Sequence, residues 1–119
     1  MNAARRSRAR PVGRPVNAER AWSRLVDELA VTPGVSSGRM FRSEGLSYGG
    51  KYFAMLRRDD LVVKLPATRV DALEHAEVGV RFETRPGRVM REWLAVPFAR
   101  SRRWRALTCE ALEFARRPL

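Results

Sequence analysis

The stretch GLSYGGKY, residues 45–52, carries the one spacing in the chain that suggests nucleotide chemistry. Gly45, Gly50 and Lys51 match the pattern G-x-x-x-x-G-K-[ST] up to its last position, where Tyr52 stands. A phosphate loop needs a strand that delivers the glycine turn, a helix that follows it, and a Ser or Thr hydroxyl to hold magnesium. Tyr52 cannot hold magnesium in that way, and residues 52–56 (YFAML) read as a strand. The expectation is therefore a tight connection between strands, its glycines supplying positive φ, and no nucleotide site.

Other chemistry is sparsely represented. His75 and Cys109 are the single histidine and the single cysteine, too few for the three or four ligands of a zinc site. His75 belongs to the solvated side of a short helix. Cys109 lies about 140° around its helix from Trp104, which predicts an exposed or half-exposed thiol; Arg105, one turn earlier, is the one feature favouring a thiolate. Nucleophilic catalysis needs Ser or Cys beside an oriented base, and no such framing surrounds the lone histidine. The acidic neighbours Asp27-Glu28, Asp59-Asp60 and Glu110 with Glu113 fall on helix surfaces and in a turn, where solvation is their purpose. No catalytic, cofactor-binding or metal-binding residue is expected, and the chain reads as non-enzymatic.

Charge is the stronger signal. The formal net charge is +11, from 24 basic and 13 acidic residues. Five arginines (Arg5, Arg6, Arg8, Arg10, Arg14) lie in the first sixteen positions, so the rest retains a surplus of about six. Such a surplus draws polyanions at long range, and salt weakens the attraction. A second cluster, Arg100, Arg102, Arg103 and Arg105, is expected at the start of the last helix, where cations oppose the helix dipole. A partner anion explains that placement better than a structural purpose does. Only Lys51 and Lys64 are lysines, and the codon bias of a GC-rich genome is a competing origin for so much arginine.

These residues must be positioned by a small set of elements. Ala18, Ala21, Trp22, Leu25, Val26 and Leu29 recur at steps of three and four, one stripe of a helix that Asn17 can cap and Thr32-Pro33-Gly34 ends. Arg39-Met40-Phe41 reads as a short strand. KYFAML (51–56) and LVVKL (61–65) flank the polar tetrad Arg57-Arg58-Asp59-Asp60 as a hairpin. Alternation places Phe53 and Met55 on one face of the first strand, and Leu61, Val63 and Leu65 on one face of the second. Pro66 suits a helix start, with Val70, Leu73 and Val78 inward. Val80-Arg81-Phe82 and residues 92–96, ended by Pro97, are strands around the turn 85–88. Ser101 can cap a final helix with Trp104, Leu107, Ala111, Phe114 and Ala115 inside. The order α-β-β-β-α-β-β-α predicts an α+β domain over residues 17–117, an antiparallel sheet with helices packed on it.

Residues 1–16 read as a disordered, arginine-rich tail without the apolar h-region of a secretory signal or the apolar face of a transit peptide. No apolar run reaches the roughly 18–20 residues of a membrane span. With a lone cysteine, these features suggest a reducing cytoplasm and no membrane contact.

Four blocks in order resemble the TfoX N-terminal domain family: Met40-Phe41-x-Ser43-Glu44-Gly45-Leu46; Gly50-Lys51-x-Phe53-Ala54-Met55-Leu56; Leu61 to Ala67 with Arg69 and Val70; and Gly87-Arg88-x-Met90-Arg91-Glu92-Trp93-Leu94-x-Val96-Pro97. The similarity spans about residues 18–116. It implies a compact α+β fold akin to the secretion-chaperone fold. It also implies a role beside transcription, as in the competence regulators for which the family is named, and it supplies no catalytic residues. Those two-domain regulators carry a C-terminal helical domain with no counterpart among these residues. Phe41, Phe53, Trp93 and Leu94 suit a core; Gly45, Gly50 and Gly87 suit turns. Lys64, Arg88, Arg91 and Glu92 are the members that packing explains least. They are read either as an ion-paired cluster on the sheet or as a surface for a partner or a small anion. The expected partner is a protein or DNA, and half-exposed edge strands allow a homodimer.

Overall fold

The computed structural model describes residues 16–40 and 42–118. The reading of residues 1–16 as a tail lies outside them except for Val16, as does a core role for Phe41. The elements are helix α1 (Val16–Leu29), strands β1 (Val35–Met40), β2 (Ser43–Tyr48), β3 (Lys51–Arg57) and β4 (Asp60–Lys64), helix α2 (Ala67–His75), strands β5 (Val80–Arg85) and β6 (Arg88–Pro97), a 3-10 segment Phe98–Arg103, and helix α3 (Trp104–Arg116). All strands join one six-stranded sheet of order β1-β2-β3-β4-β6-β5, antiparallel at every pairing. The α+β class and its helix-covered antiparallel sheet are as expected.

Three local expectations change. The first is an extra strand: Ser43–Tyr48 is β2, so the order is α-β-β-β-β-α-β-β-α. Gly45 is thus a strand residue, paired with both Gly38 and Met55. It suits that position because a Cβ there would stand 2.9 Å from the Tyr52 ring and 3.2 Å from the Ala54 carbonyl. The two-residue turn is Gly49-Gly50 alone, at φ +56° and +86°, closing the pair Tyr48–Lys51.

The second is a bulge. Leu46 pairs with Ala54 and Ser47 with Tyr52, which leaves Phe53 as the extra residue of β3. A bulge lets two successive side chains leave on the same side of a sheet. Phe53 accordingly joins Ala54 and Leu56 in the large helix-facing cluster, while Met55 lies in a second cluster. Strict alternation would have put Phe53 beside Met55; the bulge turns it toward α3, where burial of such a ring stabilises by about 2–3 kcal/mol.

The third concerns caps. Asn17 lies within α1, which begins at Val16. Ser101 falls in the 3-10 segment, and α3 starts after Arg103 with no side-chain cap. Ser101 instead offers its carbonyl to the Trp104 amide. Pro66 precedes α2, and its carbonyl accepts from the amides of Arg69 and Val70 at 2.9 and 3.0 Å.

All three helices cover one face. Their stripes (Trp22, Leu25 and Leu29; Val70 and Leu73; Trp104, Leu107 and Ala111) merge with Leu46, Phe53, Leu61, Val63, Leu65, Leu94 and Val96 into one core. Phe114 and Ala115 are half-buried at its margin, while Thr108 and Leu112 are buried. Thr108 is satisfied by donating its hydroxyl to the Trp104 carbonyl at 2.7 Å. On the reverse face Met55, Val62 and Ala95 form a small cluster shielded by Phe82 and Trp93, with the Arg57 guanidinium 5.4 Å from the Phe82 ring centre. Strand β5 is a free edge whose Val80 is 62% exposed. Among the described residues no helix is long and apolar enough to cross a membrane.

Candidate nucleic-acid interface

Residues 45–52 form no phosphate cradle. Lys51 begins strand β3 rather than a helix, so no helical N-terminus follows the glycines, and Gly49 and Gly50 serve the β2–β3 turn.

The polar residues 64, 88 and 91 do not form one cluster. Lys64 pairs in register with Trp93, and its ammonium stands 4.0 Å from the Glu92 carboxylate, a charge contact and not a hydrogen bond. Arg88 faces Arg85 at the end of the β5–β6 hairpin, five residues from Trp93 and so about 17 Å along the strand. Arg91 lies between them, exposed, its carbonyl accepting from Arg81 Nε at 3.2 Å. The partly ion-paired reading holds for Lys64 and Glu92 alone.

The basic cluster near residue 100 is more coherent. Arg100, Arg102 and Arg103 are exposed on the 3-10 segment and Arg105 on the first turn of α3. Arg103 is the N-cap of α3, so opposition to the helix dipole bears on it and on Arg105. The latter answers it by donating Nε to both carboxylate oxygens of Glu28 at 3.2 Å. Arg100, Arg102 and Arg103 are not ion-paired to any described residue.

The opposing wall, on α1, is not signalled by any motif. Arg20, Arg24 and Glu28 recur every fourth residue along one ridge of α1. With Ser101 and Arg105 they enclose an open groove of about 580 Å³ between α1 and the start of α3. Its floor includes Phe98 and Trp104, packed edge to face with centroids 5.7 Å apart. The buried Trp104 ring is anchored by its Nε1, which donates to the Val96 and Pro97 carbonyls at 3.2 and 3.3 Å. The i, i+4 spacing of Arg20 and Arg24 was visible in the sequence; that it faces residues 98–105 was not.

Arg20 and Arg24 are like charges one turn apart, a mildly destabilising spacing that Asp27 and Glu28, three and four residues after Arg24, offset in part. Glu28 is the one carboxylate in the groove's lining, against Arg20, Arg24 and Arg105, while Arg100, Arg102 and Arg103 are exposed on the adjoining 3-10 segment. Such a groove can take the phosphates of a polyanion. Trp104, fully enclosed, cannot stack on a base, and Phe98 is half-buried, so the surface suits a phosphate backbone better than splayed bases.

Cys109 is half-buried and packs against the core, and Arg105 turns toward Glu28 rather than toward it. Among the described residues no three of His, Cys, Asp or Glu come together as metal ligands. Comparison with protein-family models, with curated proteins and with solved structures gave no match.

Proposed function

We propose that this protein is a non-enzymatic module that binds nucleic acid through backbone phosphates, working beside transcription as its resemblance to the TfoX N-terminal domain family implies, in the reducing cytoplasm that its lone cysteine suggests. The observation that carries the reading is the groove between α1 and the start of α3, where Arg20, Arg24 and Arg105 share the lining with one carboxylate, Glu28, and the exposed Arg100, Arg102 and Arg103 stand on the adjoining 3-10 segment. About four phosphate contacts there give a log–log salt slope of about −3.6 on duplex DNA. Affinity then falls on the order of 100-fold between 50 and 200 mM salt.

The test is fluorescence anisotropy of the full chain on a labelled random duplex. Beside it run a variant with Arg20, Arg24, Arg102 and Arg103 changed to Gln, and another with the five arginines of residues 1–16 changed to Gln. The groove variant is expected to lose most of its affinity and to halve the slope, while the second retains the slope of the groove. Binding that depends only on the first sixteen residues, or no binding by the parent chain, would sink the reading.

A further inference from the structure

Both lysines of a chain that otherwise uses arginine line the same cleft. Lys51, from the start of β3, and Lys64, from the end of β4, stand at the open end of one hairpin, and both border a cavity of about 340 Å³ at the C-terminal end of α3. Arg117 adds a third cation, its guanidinium 5.4 Å from the Phe114 ring centre. Its apolar side is Phe53, Ala111, Phe114 and Ala115; Phe53 and Ala111 are wholly buried and back it, and the half-buried Phe114 and Ala115 are the surface it offers. Phe53 reaches this position only because the bulge in β3 turns it to the helix side.

Electrostatics favour an anion. Glu92 is the one carboxylate in the lining, and the last carbonyls of α3 add about half a negative charge. Three cations outweigh them. A helix end needs no such supply, since Arg116, which pairs with Glu113 at 3.8 Å, already sits there. Lys64 meets Glu92 only at 4.0 Å, so its ammonium has donors to spare. Lysine presents a compact charge with three rotatable donors on a flexible stem, able to converge on an anionic head from either side. A cavity of this size lies at the small end of ligand pockets.

We propose that this cleft binds a small amphipathic anion, with its carboxylate or phosphate head between Lys51 and Lys64 and a ring-sized apolar body against the half-buried Phe114 and Ala115. The site lies at the opposite end of α3 from the arginine groove and does not depend on it.

Reductive methylation with ¹³C-formaldehyde labels Lys51, Lys64 and the N-terminal amine of the full chain while keeping their charges. That gives three amine signals to follow by NMR, assigned with Lys51→Gln and Lys64→Gln. The probes are phenyl phosphate, phenylacetate and inorganic phosphate at constant salt. The expected result is that at least one aromatic probe moves both lysine signals along one saturating curve, with Kd on the order of 1 mM (about −4 kcal/mol), and leaves the N-terminal amine still. Inorganic phosphate should bind at least tenfold more weakly, and Lys64→Gln should weaken the Lys51 response at least tenfold. Which aromatic probe saturates identifies the head group. Shifts that never saturate, shifts shared with the N-terminal amine, saturation at one lysine only, a Lys51 response indifferent to Lys64→Gln, or equal binding of inorganic phosphate would each overturn the proposal.

Discussion

The guanidinium of Arg69 and the carboxylate of Glu110 clasp α2 to α3 in a two-point pair: Nε donates to Oε1 over 2.9 Å and Nη2 to Oε2 over 3.0 Å. The hydrogen bond to Glu110 is the main cause that raises the Arg69 pKa above its ordinary value. Both side chains are 40% exposed, so water screens much of the attraction. A double-mutant cycle with Arg69→Gln and Glu110→Gln should give a coupling of about 0.5–1 kcal/mol at low salt, falling as salt rises. Urea titrations of the four proteins measure it, and zero coupling at low salt would contradict a bidentate pair.

Gly45 and Gly50 are needed for different reasons. At Gly45 the obstacle is space, because the Tyr52 ring lies 2.9 Å from where a Cβ would stand. At Gly50 the surroundings are empty and the obstacle is φ at +86°. Gly45→Ala should cost about 1–3 kcal/mol and regain part of that when Tyr52→Ala is added. Gly50→Ala should cost about 1 kcal/mol and show no coupling to Tyr52. Equal coupling at both positions would be the contrary result.

The β3–β4 hairpin turns through Arg58 at φ +56°, between the paired residues Arg57 and Asp60. An L side chain in that region is strained by roughly 1–2 kcal/mol. Arg58→Gly should therefore raise stability by up to about 1 kcal/mol, the gain reduced by glycine's greater freedom in the unfolded chain. A lower thermal midpoint for Arg58→Gly would show that the arginine makes an offsetting contact.

Burial raises the pKa of Asp60 above 3.8, reinforced by the charge of Asp59 and opposed by Arg58. An acid whose pKa rises on folding binds its proton more tightly in the folded state. Its contribution to stability thus declines as pH climbs from about 3.8 through the raised folded value, and is constant above that. Asp60→Asn should stabilise the fold at pH 7, with the advantage shrinking on acidification and gone below about pH 3.8. Thermal melts of both proteins from pH 3 to 7 test this; an advantage independent of pH would assign the effect to packing.

Local features were legible in the order of residues. Apolar residues at steps of three and four marked the buried stripes of α1 and α3. The polar tetrad 57–60 marked the β3–β4 hairpin, and Tyr52 at the head of a strand removed the phosphate loop. The class of fold followed from the order of such segments. Strand β2 escaped notice because Gly45, Gly49 and Gly50 read as turn residues, and only the Tyr52 ring lying across Gly45 shows why one of them belongs in a strand. The bulge at Phe53, the pairing of β4 with β6 across α2, the arginine groove and the cleft that α3 completes over Lys51 and Lys64 came from the tertiary structure. A helix stripe repeats every 3.6 residues and a hairpin closes within four, so both are written in neighbouring positions. Which strand edge pairs next, and which helix ridge faces which turn, depends on how the whole sheet twists and closes over its core, and no short window of sequence contains that.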